Sequence, residues 1–478
     1  MRDEATGIQP SCHVRVWESD ELISQDLRSR LKLATGILEN VPEEEKDWHP
    51  RSNNQVLDLV HPSLFCAVYD RTQHWVTYDD GRELEIIDAP DEDLVAWAYS
   101  VLRILGGFSW IPTDFRIGEN GVPATALGYI NNVHPKRHQD LVAVIESLVG
   151  RFSLLWDKVL TDIHPNNNNS LPWREKTVGF YKWTEHPEHP YPVQMERGVL
   201  GEEEYNRRLE AWEEHKIIKL PTVDKRGYRG RYRDITSRYD RYSVQSKTVQ
   251  VIVKLANIHL PFILSQTPEK PEYPGGSWHV EGMANERIVA SGIYYYDSEN
   301  ITNSRLAFRM GVNFEDVQYD QGDSDGISLT WGLEYGDPCN QVVGTVETSA
   351  NRCIAFPNIY QHQVSSFELV DRTKPGHRKI VALFLVDPEN RIPSTSDIPA
   401  QQSDWIREAI FEALVKDNQT MKAPLPVELV DMVADQVDNV MTLDEAKAYR
   451  LELMDERTAF VDTVDESHFC TEFNYCEH

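Results

Sequence analysis

Residues 248–254, Thr-Val-Gln-Val-Ile-Val-Lys, decide the fold class of this sequence. Val249, Val251 and Val253 alternate with other residues, the period-two pattern of a β-strand. Further β-type segments follow at 288–297, 306–309, 327–331, 341–348, 353–357 and 379–387, with turn residues and no helices between them. Many short strands at this spacing predict a sandwich or jelly roll, because a parallel sheet would need helices between its strands.

The segments on both sides of this β-rich region have helical patterns. Residues 20–40, 91–105, 139–163 and 202–217 have apolar side chains at helical spacing, and a capping-box pattern at Thr442 begins a helix in the tail. The sequence therefore predicts an α+β protein. A double-stranded β-helix (jelly-roll, cupin-like) barrel would occupy 246–390, between a mixed, mostly helical region at 1–245 and a helical tail at 391–478.

The charge of the chain disfavours some functions. Its 478 residues include 48 Lys and Arg against 77 Asp and Glu, a formal net charge of −29. Such a surface repels phosphate, so we expect neither nucleic-acid binding nor binding to a membrane. A small-molecule substrate or a basic peptide is compatible with this charge. An intracellular, cytoplasmic or nuclear, location is the default expectation, and the sequence does not indicate an oligomeric state.

Residues 225–242 are the exception to the acidic composition, because arginines alternate there with tyrosines. Basic residues interleaved with aromatic ones can bind single-stranded nucleic acid. In a chain this acidic, a surface connection whose arginines pair with carboxylates is the favoured interpretation.

His279 and Glu281 are the first candidate functional residues. In an extended strand, residues two apart point to the same face, so both side chains could share one metal ion. His362 lies in a later strand-like stretch and is the best candidate for a third ligand. Two histidines and one carboxylate leave coordination positions open, as in non-haem Fe(II) oxygenases. The competing interpretation is that both histidines are ordinary core residues.

Arg378 begins an apolar strand, on the same face as Ile380, Ala382 and Phe384. A guanidinium on an apolar wall requires an anionic partner, and the distal carboxylate of 2-oxoglutarate fits a bidentate pair. Tyr294 and Tyr296 share one strand face after the His-x-Glu motif, and both are candidates for binding this co-substrate. A salt bridge within the fold is the alternative role for Arg378.

Two other motifs are interpreted as loops. Residues 322–326 match the Gly-x-Ser-x-Gly nucleophile pattern, but a strand is predicted after them at 327–331, where that motif needs a helix. Residues 185–190, Glu-His-Pro-Glu-His-Pro, are rich in metal ligands. Their two prolines exclude the helix that the His-Glu-x-x-His zinc motif needs, so a solvated loop is predicted.

Several longer stretches resemble a largely fungal family labelled only as a domain of unknown function (DUF 4246). The resemblance runs from about residue 22 to residue 388 and is carried by the stretches at 60–64, 128–135, 249–260, 273–286, 356–362 and 375–388. The family label itself implies no activity.

The C-terminal half is also similar, more distantly, to the Fe(II)/2-oxoglutarate-dependent oxygenase superfamily. That resemblance implies His279, Glu281 and His362 as iron ligands and Arg378 as the anchor of 2-oxoglutarate. Glu281 stands where Asp is commoner, and residues 367–375 form an insertion before the arginine. The implied enzyme is a dioxygenase that uses Fe(II), 2-oxoglutarate and O2, forms succinate, and oxidises, most simply hydroxylates, a C–H bond.

Two other classes of protein remain open. A cupin-like metalloprotein could use the same three ligands without 2-oxoglutarate. A binding or scaffold protein could keep the barrel without any chemistry. The position of Arg378 and the convergence of the three ligands distinguish these classes.

Overall fold

The computed structural model describes residues 2–79, 81–89, 107–164, 174–175, 181–220, 240–261, 272–312, 319–320, 322–416 and 426–474. The chain divides into two compact units. The first is Met1–Leu171, Asp234–Arg309 and Val342–Val464, and the second is Pro172–Arg233, Met310–Gln341 and Asp465–His478. The predicted helix at 91–105 and most of the Arg/Tyr-rich stretch 225–242 lie outside the described residues.

The strands are numbered in chain order. Among the described residues they are β1 (Gln9–Pro10), β2 (Trp17–Ser19), β3 (Val56–Val60), β4 (Ala67–Val68), β5 (Gln73–Tyr78), β6 (Gly81–Ile86), β7 (Phe108–Ser109), β8 (Thr113–Ile117), β9 (Ala124–Ala126), β10 (Arg174–Glu175), β11 (Lys182–Thr184), β12 (Ile217–Lys219), β13 (Thr248–Leu260), β14 (Glu272–Tyr273), β15 (Ile288–Glu299), β16 (Arg305–Val312), β17 (Asn340–Glu347), β18 (Cys353–Pro357), β19 (Gln361–Val364), β20 (Phe367–Glu368) and β21 (Gly376–Val386).

The helices alternate with these strands. The α-helices of the described residues are Gln25–Glu39, Gln139–Ile163, Arg197–Leu200, Glu202–His215, Ser324–Trp331, Ser403–Phe411, Val427–Ala434 and Leu443–Val464. Shorter 3-10 turns lie at Glu43–Glu45, Glu119–Gly121, Gln194–Glu196 and Ala284–Glu286, and π-helical turns at Glu412–Lys416 and Asp465–Phe469. No helix of the described residues is long and apolar enough to cross a membrane.

A large antiparallel sheet forms the centre of the first unit. Its strand order is β1-β2-β18-β15-β21-β13-β8-β9, and β3 also pairs with β13. Every one of these pairings is antiparallel. Val381, Leu383 and Leu385 of β21 are completely buried, as expected for a central strand covered on both faces.

A second set of strands carries the remaining part of the β-rich region. β19 pairs antiparallel with β16, in a sheet that also contains β17. β14 pairs antiparallel with β20. An isolated antiparallel bridge joins His279 to His362, so the segment after β14 runs beside β19.

The large sheet has two different faces. Gly292 of β15 lies against helix Gln139–Ile163, where an added Cβ would come within 2.5 Å of the Phe152 ring. Residues paired across antiparallel strands share a face, and Tyr295 pairs with Ile380. Ile380 is two residues from Arg378 in β21, so these two side chains also point to the same face. Tyr295 and Arg378 therefore lie on the inner face, whereas Gly292 lies on the outer, helix-covered face.

The structure confirms the predicted helix at 139–163 with the same bounds, and the predicted helices at 20–40 and 202–217 with shorter bounds. The described part of 1–245 is mixed, with β1–β12 beside its helices, and several of these strands extend the large sheet at its edges. One prediction is wrong. Residues 327–331 form a helix rather than a strand, since the Asp323 side chain accepts a hydrogen bond from the Gly326 N–H and caps Ser324–Trp331.

The predicted boundary at 245/246 does not coincide with a boundary between the compact units. β3, β8 and β9 precede it in sequence, yet they belong to the same sheet as β13. The sheet is therefore built from chain segments on both sides of that position.

Candidate metal centre

His279 and His362 are brought together by backbone pairing. The His279 N–H donates to the His362 carbonyl at 3.2 Å, and the His362 N–H donates to the His279 carbonyl at 2.9 Å. Such a reciprocal pair places two side chains opposite each other on one face. The centroids of the two imidazole rings are 4.3 Å apart.

Glu281 is held beside them by Asn358. The Asn358 Oδ1 accepts from the Glu281 N–H at 2.8 Å, and its Nδ2 donates to the Glu281 carbonyl at 2.8 Å and to the Ile288 carbonyl at 3.1 Å. Asn358 follows β18 and is buried. One amide side chain therefore fixes the backbone of the carboxylate residue against the strand leading to His362.

The three side chains converge to metal-ligand spacing. Their ligand atoms all lie within 4.8 Å of one another. Glu281 Oε1 lies 3.3 Å from His362 Nε2 and 3.9 Å from His279 Nε2. The His362 side chain is 3% exposed and that of His279 is 33% exposed, so the cluster has one deep and one accessible side.

The proton on His279 is placed for metal binding. Its Nδ1 lies 2.8 Å from the Ser277 carbonyl, which can only accept, so this nitrogen carries the proton. The Nε2 lone pair then faces Glu281. An imidazole oriented by a carbonyl on its other nitrogen is the usual arrangement of a metal-ligating histidine.

The electrostatics keep His279 and Glu281 in a ligand-ready state at neutral pH. Desolvation, followed by the neighbouring His362, lowers the pKa of His279 to about 4, so its ring is neutral. Although desolvation of Glu281 acts in the opposite direction, the hydrogen bond and charge of His362, and the charge of His279, lower its pKa to about 2. A neutral imidazole beside an ionised carboxylate is the protonation state that a divalent cation requires.

Arg378 is buried, and the described residues offer it no anionic partner. Its side chain lies over the Phe367 ring at 4.3 Å and the Tyr295 ring at 5.6 Å. The residue is 1% exposed, and its Nε and Nη1 have no hydrogen-bond partner among the described residues. Burial lowers the pKa of Arg378, and Tyr295 and Tyr273 oppose that shift. Nε and Nη1 of this guanidinium are unpaired within the described residues and could bind a carboxylate.

The predicted co-substrate tyrosines lie on the other face of β15. The Tyr294 hydroxyl donates to Asn351 Oδ1, and the Tyr296 hydroxyl donates to Asn257 Oδ1. Alternation places both on the helix-covered face, whereas Tyr295 between them lies next to Arg378. The tyrosine that the structure brings to the candidate anchor is thus Tyr295.

Another His/Asp cluster, formed by His49, Asp58 and His61, also has ligand atoms within 4.8 Å of one another. Here His61 Nδ1 accepts from the buried Ser63 N–H at 3.2 Å. Burial lowers the pKa of His61 well below 6.5, so the ring is neutral and carries its proton on Nε2. Freeing His61 as a ligand would leave a buried N–H unpaired, so this cluster suits a metal less well than His279, Glu281 and His362.

The candidate centre fits an iron ion by its donor set. Two imidazoles and one carboxylate on adjacent segments are the ligands of non-haem Fe(II) sites. The buried guanidinium of Arg378, unpaired at Nε and Nη1 among the described residues, is a cation that could pair with a carboxylate ligand. The structure thus brings together the three sequence-predicted ligands and places the predicted anchor on the inner face of the sheet.

Two residues that support the candidate site were not predicted from the sequence. Asn358 has a signal in the sequence, because it is a polar residue in a Pro-Asn turn directly after an apolar strand. Tyr295 could have been found from the pairing register of β15 with β21, which puts it on the same face as Arg378. That register depends on a bulge beside Tyr295, and a single sequence does not show it.

Comparisons with known proteins give one clear match. The sequence profile of a family described as "Protein of unknown function (DUF4246)" matches residues 3–409. No curated protein matches the chain.

Similarities to solved structures are weak. A BsmA homologue from Methylobium petroleophilum PM1 is 8% identical, with 77% of this chain and 89% of that chain covered and a TM-score of 0.23. The Fe(II)/α-ketoglutarate-dependent dioxygenase TqaL is 8% identical, with 78% and 95% covered and a TM-score of 0.25. A prolyl-4-hydroxylase from Pseudomonas putida is 9% identical, with 45% and 72% covered and a TM-score of 0.15. TM-scores this low do not support any conclusion about this chain.

Proposed function

We propose that this chain, which belongs to the DUF4246 family of proteins of unknown function, is an Fe(II)- and 2-oxoglutarate-dependent dioxygenase. The observation that carries the proposal is the convergence of His279, Glu281 and His362, whose ligand atoms lie within 4.8 Å of one another. His362 is far in sequence from the other two, and His279 and Glu281 are in the protonation states that metal binding requires.

The strand connections support a double-stranded β-helix as the scaffold. The large sheet contains β13-β21-β15-β18 in that order, while β14, β16, β17, β19 and β20 lie outside it. The chain thus leaves the large sheet after β13, β15 and β18 and returns to it at β15, β18 and β21. A double-sheet jelly roll is built from such alternation.

The three ligands would hold the iron on one side and leave the opposite positions free for co-substrate and O2. When bound, the iron and 2-oxoglutarate supply the oxidation of a C–H bond while 2-oxoglutarate is converted to succinate and CO2. Glu281 would supply the negative charge of the ligand set. His279 would keep its proton on Nδ1, toward the Ser277 carbonyl, so that Nε2 stays available.

Arg378 would orient the co-substrate. Its planar guanidinium can form two parallel hydrogen bonds to the distal carboxylate of 2-oxoglutarate, and the aromatic rings of Tyr295 and Phe367 keep water away from that pair. A buried cation is strongly destabilising without an anion, so this position favours a dicarboxylate over a neutral ligand. This feature separates a 2-oxoglutarate enzyme from a metalloprotein that needs no co-substrate.

The substrate is proposed only by class. A net charge of −29 is compatible with a small molecule or with a basic peptide. We expect hydroxylation as the simplest outcome for a C–H bond placed beside the accessible side of the centre.

Turnover of 2-oxoglutarate tests the proposed function without a known substrate. Purified protein given Fe(II), ascorbate, 2-oxoglutarate and air should form succinate slowly, and His279→Ala and His362→Ala should abolish this activity. His74→Ala, which changes a histidine in the β5 hairpin, is the matched control and should keep the wild-type rate. Equal succinate formation by wild type and His279→Ala would contradict the proposal.

A further inference from the structure

The second compact unit holds a group of histidines that the proposed function does not use. The ring centroids of His186 and His189 are 5.5 Å apart, those of His189 and His215 are 4.1 Å apart, and those of His186 and His215 are 6.1 Å apart. Ligand atoms of His186, Glu188 and His189 lie within 4.8 Å of one another. Two imidazoles and one carboxylate thus meet at metal-ligand spacing, and the exposed His215 ring stacks on His189 beside them.

Local backbone structure explains why these residues meet. His186 and His189 form an antiparallel bridge, with the His189 N–H donating to the His186 carbonyl at 3.0 Å, so residues 186–189 make a tight turn. This turn follows β11, and β11 pairs antiparallel with β12. His215 ends helix Glu202–His215 just before β12, so the β11–β12 pairing carries it to the turn.

The nitrogen atoms are suitable for a metal ion. His215 Nδ1 lies 2.8 Å from the Ala211 carbonyl and carries the proton, which leaves its Nε2 lone pair free. The His189 ring has no hydrogen-bonded or ionic partner in the described part of the chain. His186 Nδ1 accepts from the Glu188 N–H at 3.3 Å, but Glu188 is exposed, so that N–H can turn to water at little cost.

We infer that His186, Glu188, His189 and His215 bind one divalent transition-metal ion, with Zn²⁺ as the best-fitting cation. His186, Glu188 and His189 already lie at ligand spacing, and the exposed His215 would supply the fourth ligand by turning its Nε2 toward them. Three imidazole nitrogens and one carboxylate oxygen would then satisfy the four-coordinate preference of zinc and leave no open position. A closed site of this kind is structural rather than catalytic. It would join the turn after β11 to the end of helix Glu202–His215, two segments that are otherwise linked through a short strand pair.

Metal stoichiometry tests this inference on full-length protein purified without a polyhistidine tag. Apo protein would be equilibrated with Zn²⁺, dialysed, and assayed for bound metal. Wild type should retain two ions per chain, one here and one at the His279 centre. The double variant His189→Ala/His215→Ala should retain one, and so should His279→Ala, whereas His74→Ala should retain two.

A milder variant covers the case in which the double variant does not fold. Glu188→Gln changes an exposed side chain, and circular dichroism should show it folded, with zinc affinity at this site at least about 10-fold weaker. Co²⁺ bound to wild type should show the absorption of a tetrahedral centre, and Glu188→Gln should change it. Unchanged zinc stoichiometry in the double variant, or unchanged affinity and Co²⁺ spectrum in Glu188→Gln, would overturn the inference.

These outcomes are independent of the proposed function. Loss of the second ion only in the double variant supports the zinc site even if no succinate is formed. Loss of all bound metal in His279→Ala would place every ion at the first centre and overturn the zinc site alone.

Discussion

Arg378 is the residue that separates an oxygenase from a plain metal site. Nothing among the described residues neutralises it, and it is 1% exposed on the inner face of the large sheet. A structural arginine in such a position would be expected to have a carboxylate partner. Its environment among the described residues is therefore suited to the carboxylate of the proposed co-substrate.

Replacing Arg378 with Met should weaken 2-oxoglutarate binding and leave Fe(II) binding unchanged. The lost charged hydrogen bonds correspond to about 10- to 100-fold in affinity. Titration of the Fe(II)-loaded protein with 2-oxoglutarate under nitrogen measures this change. Arg372→Ala, which removes an exposed arginine, is the control. Equal 2-oxoglutarate affinity in Arg378→Met and wild type would assign Arg378 a purely structural role.

Asn358 acts on the centre through the backbone of Glu281. Changing it to Ala removes two hydrogen bonds to the Glu281 backbone and one to the Ile288 carbonyl, so Fe(II) affinity should fall by about 10- to 100-fold. The affinity of the remaining Fe(II)-loaded protein for 2-oxoglutarate should stay the same. Asn206→Ala, on an exposed helix surface, controls for loss of an amide. Unaltered Fe(II) affinity would show that Glu281 needs no such support.

At the scale of single elements, the packing of β15 against helix Gln139–Ile163 fixes which face of the sheet is inner. Gly292→Ala should destabilise the first unit by about 1–3 kcal/mol, because its Cβ would meet the Phe152 ring at 2.5 Å. Gly36→Ala should instead stabilise the protein by about 0.5–1 kcal/mol, since it lies in helix Gln25–Glu39 with ordinary contact distances. Urea unfolding measures both. A neutral Gly292→Ala would mean that this interface is loosely packed.

β3 carries a pH-dependent contribution to stability through its contact with His61. Burial lowers the folded-state pKa of His61 well below its ordinary value of 6.5. As pH falls, His61 therefore takes up a proton in the unfolded chain before it does so in the folded protein. The stabilising effect of the neutral ring is complete above pH 6.5 and is lost below it, with a slope of about 1.4 kcal/mol per pH unit.

His61→Asn keeps an acceptor for the Ser63 N–H and removes the titrating ring. Between pH 6.5 and pH 4.5 its unfolding free energy should fall less steeply than that of wild type. Asp58 does not interfere, because the charges and hydrogen bond of the neighbouring histidines outweigh its desolvation and lower its pKa to about 2. The contribution of the Asp58 carboxylate to stability is present above pH 3.8 and is lost only toward pH 2. Parallel pH profiles would contradict this assignment.

The ligands and the elements that carry them were predictable from sequence for a physical reason. Strand alternation alone puts His279 and Glu281 on one face, and the apolar run after Arg378 marks a central strand. The face of the tyrosines in β15 was not predictable, since it depends on a bulge and on which side the helices cover. The Asp323 cap likewise turned a strand-like pattern at 327–331 into a helix.

At the scale of the whole molecule, the strand-rich region was predictable and its extension was not. β13, β15, β18 and β21 follow the apolar periodicity of the sequence. The edge strands β1, β2, β8 and β9 are two to five residues long, too short for a periodic pattern, and they join the sheet through long-range pairing. The sequence therefore predicts a mostly helical region at 1–245, whereas in the structure strands from this region complete the sheet.

The central claim is that one centre, formed by His279, Glu281 and His362, holds Fe(II) together with 2-oxoglutarate. Anaerobic titration of the protein with Fe(II) and 2-oxoglutarate, followed by visible charge-transfer absorption, tests it most directly. We predict an absorption band that saturates at one equivalent of Fe(II) and one of 2-oxoglutarate and that is absent in His279→Ala and Glu281→Ala. No band in wild type, or an equal band in Glu281→Ala, would contradict it.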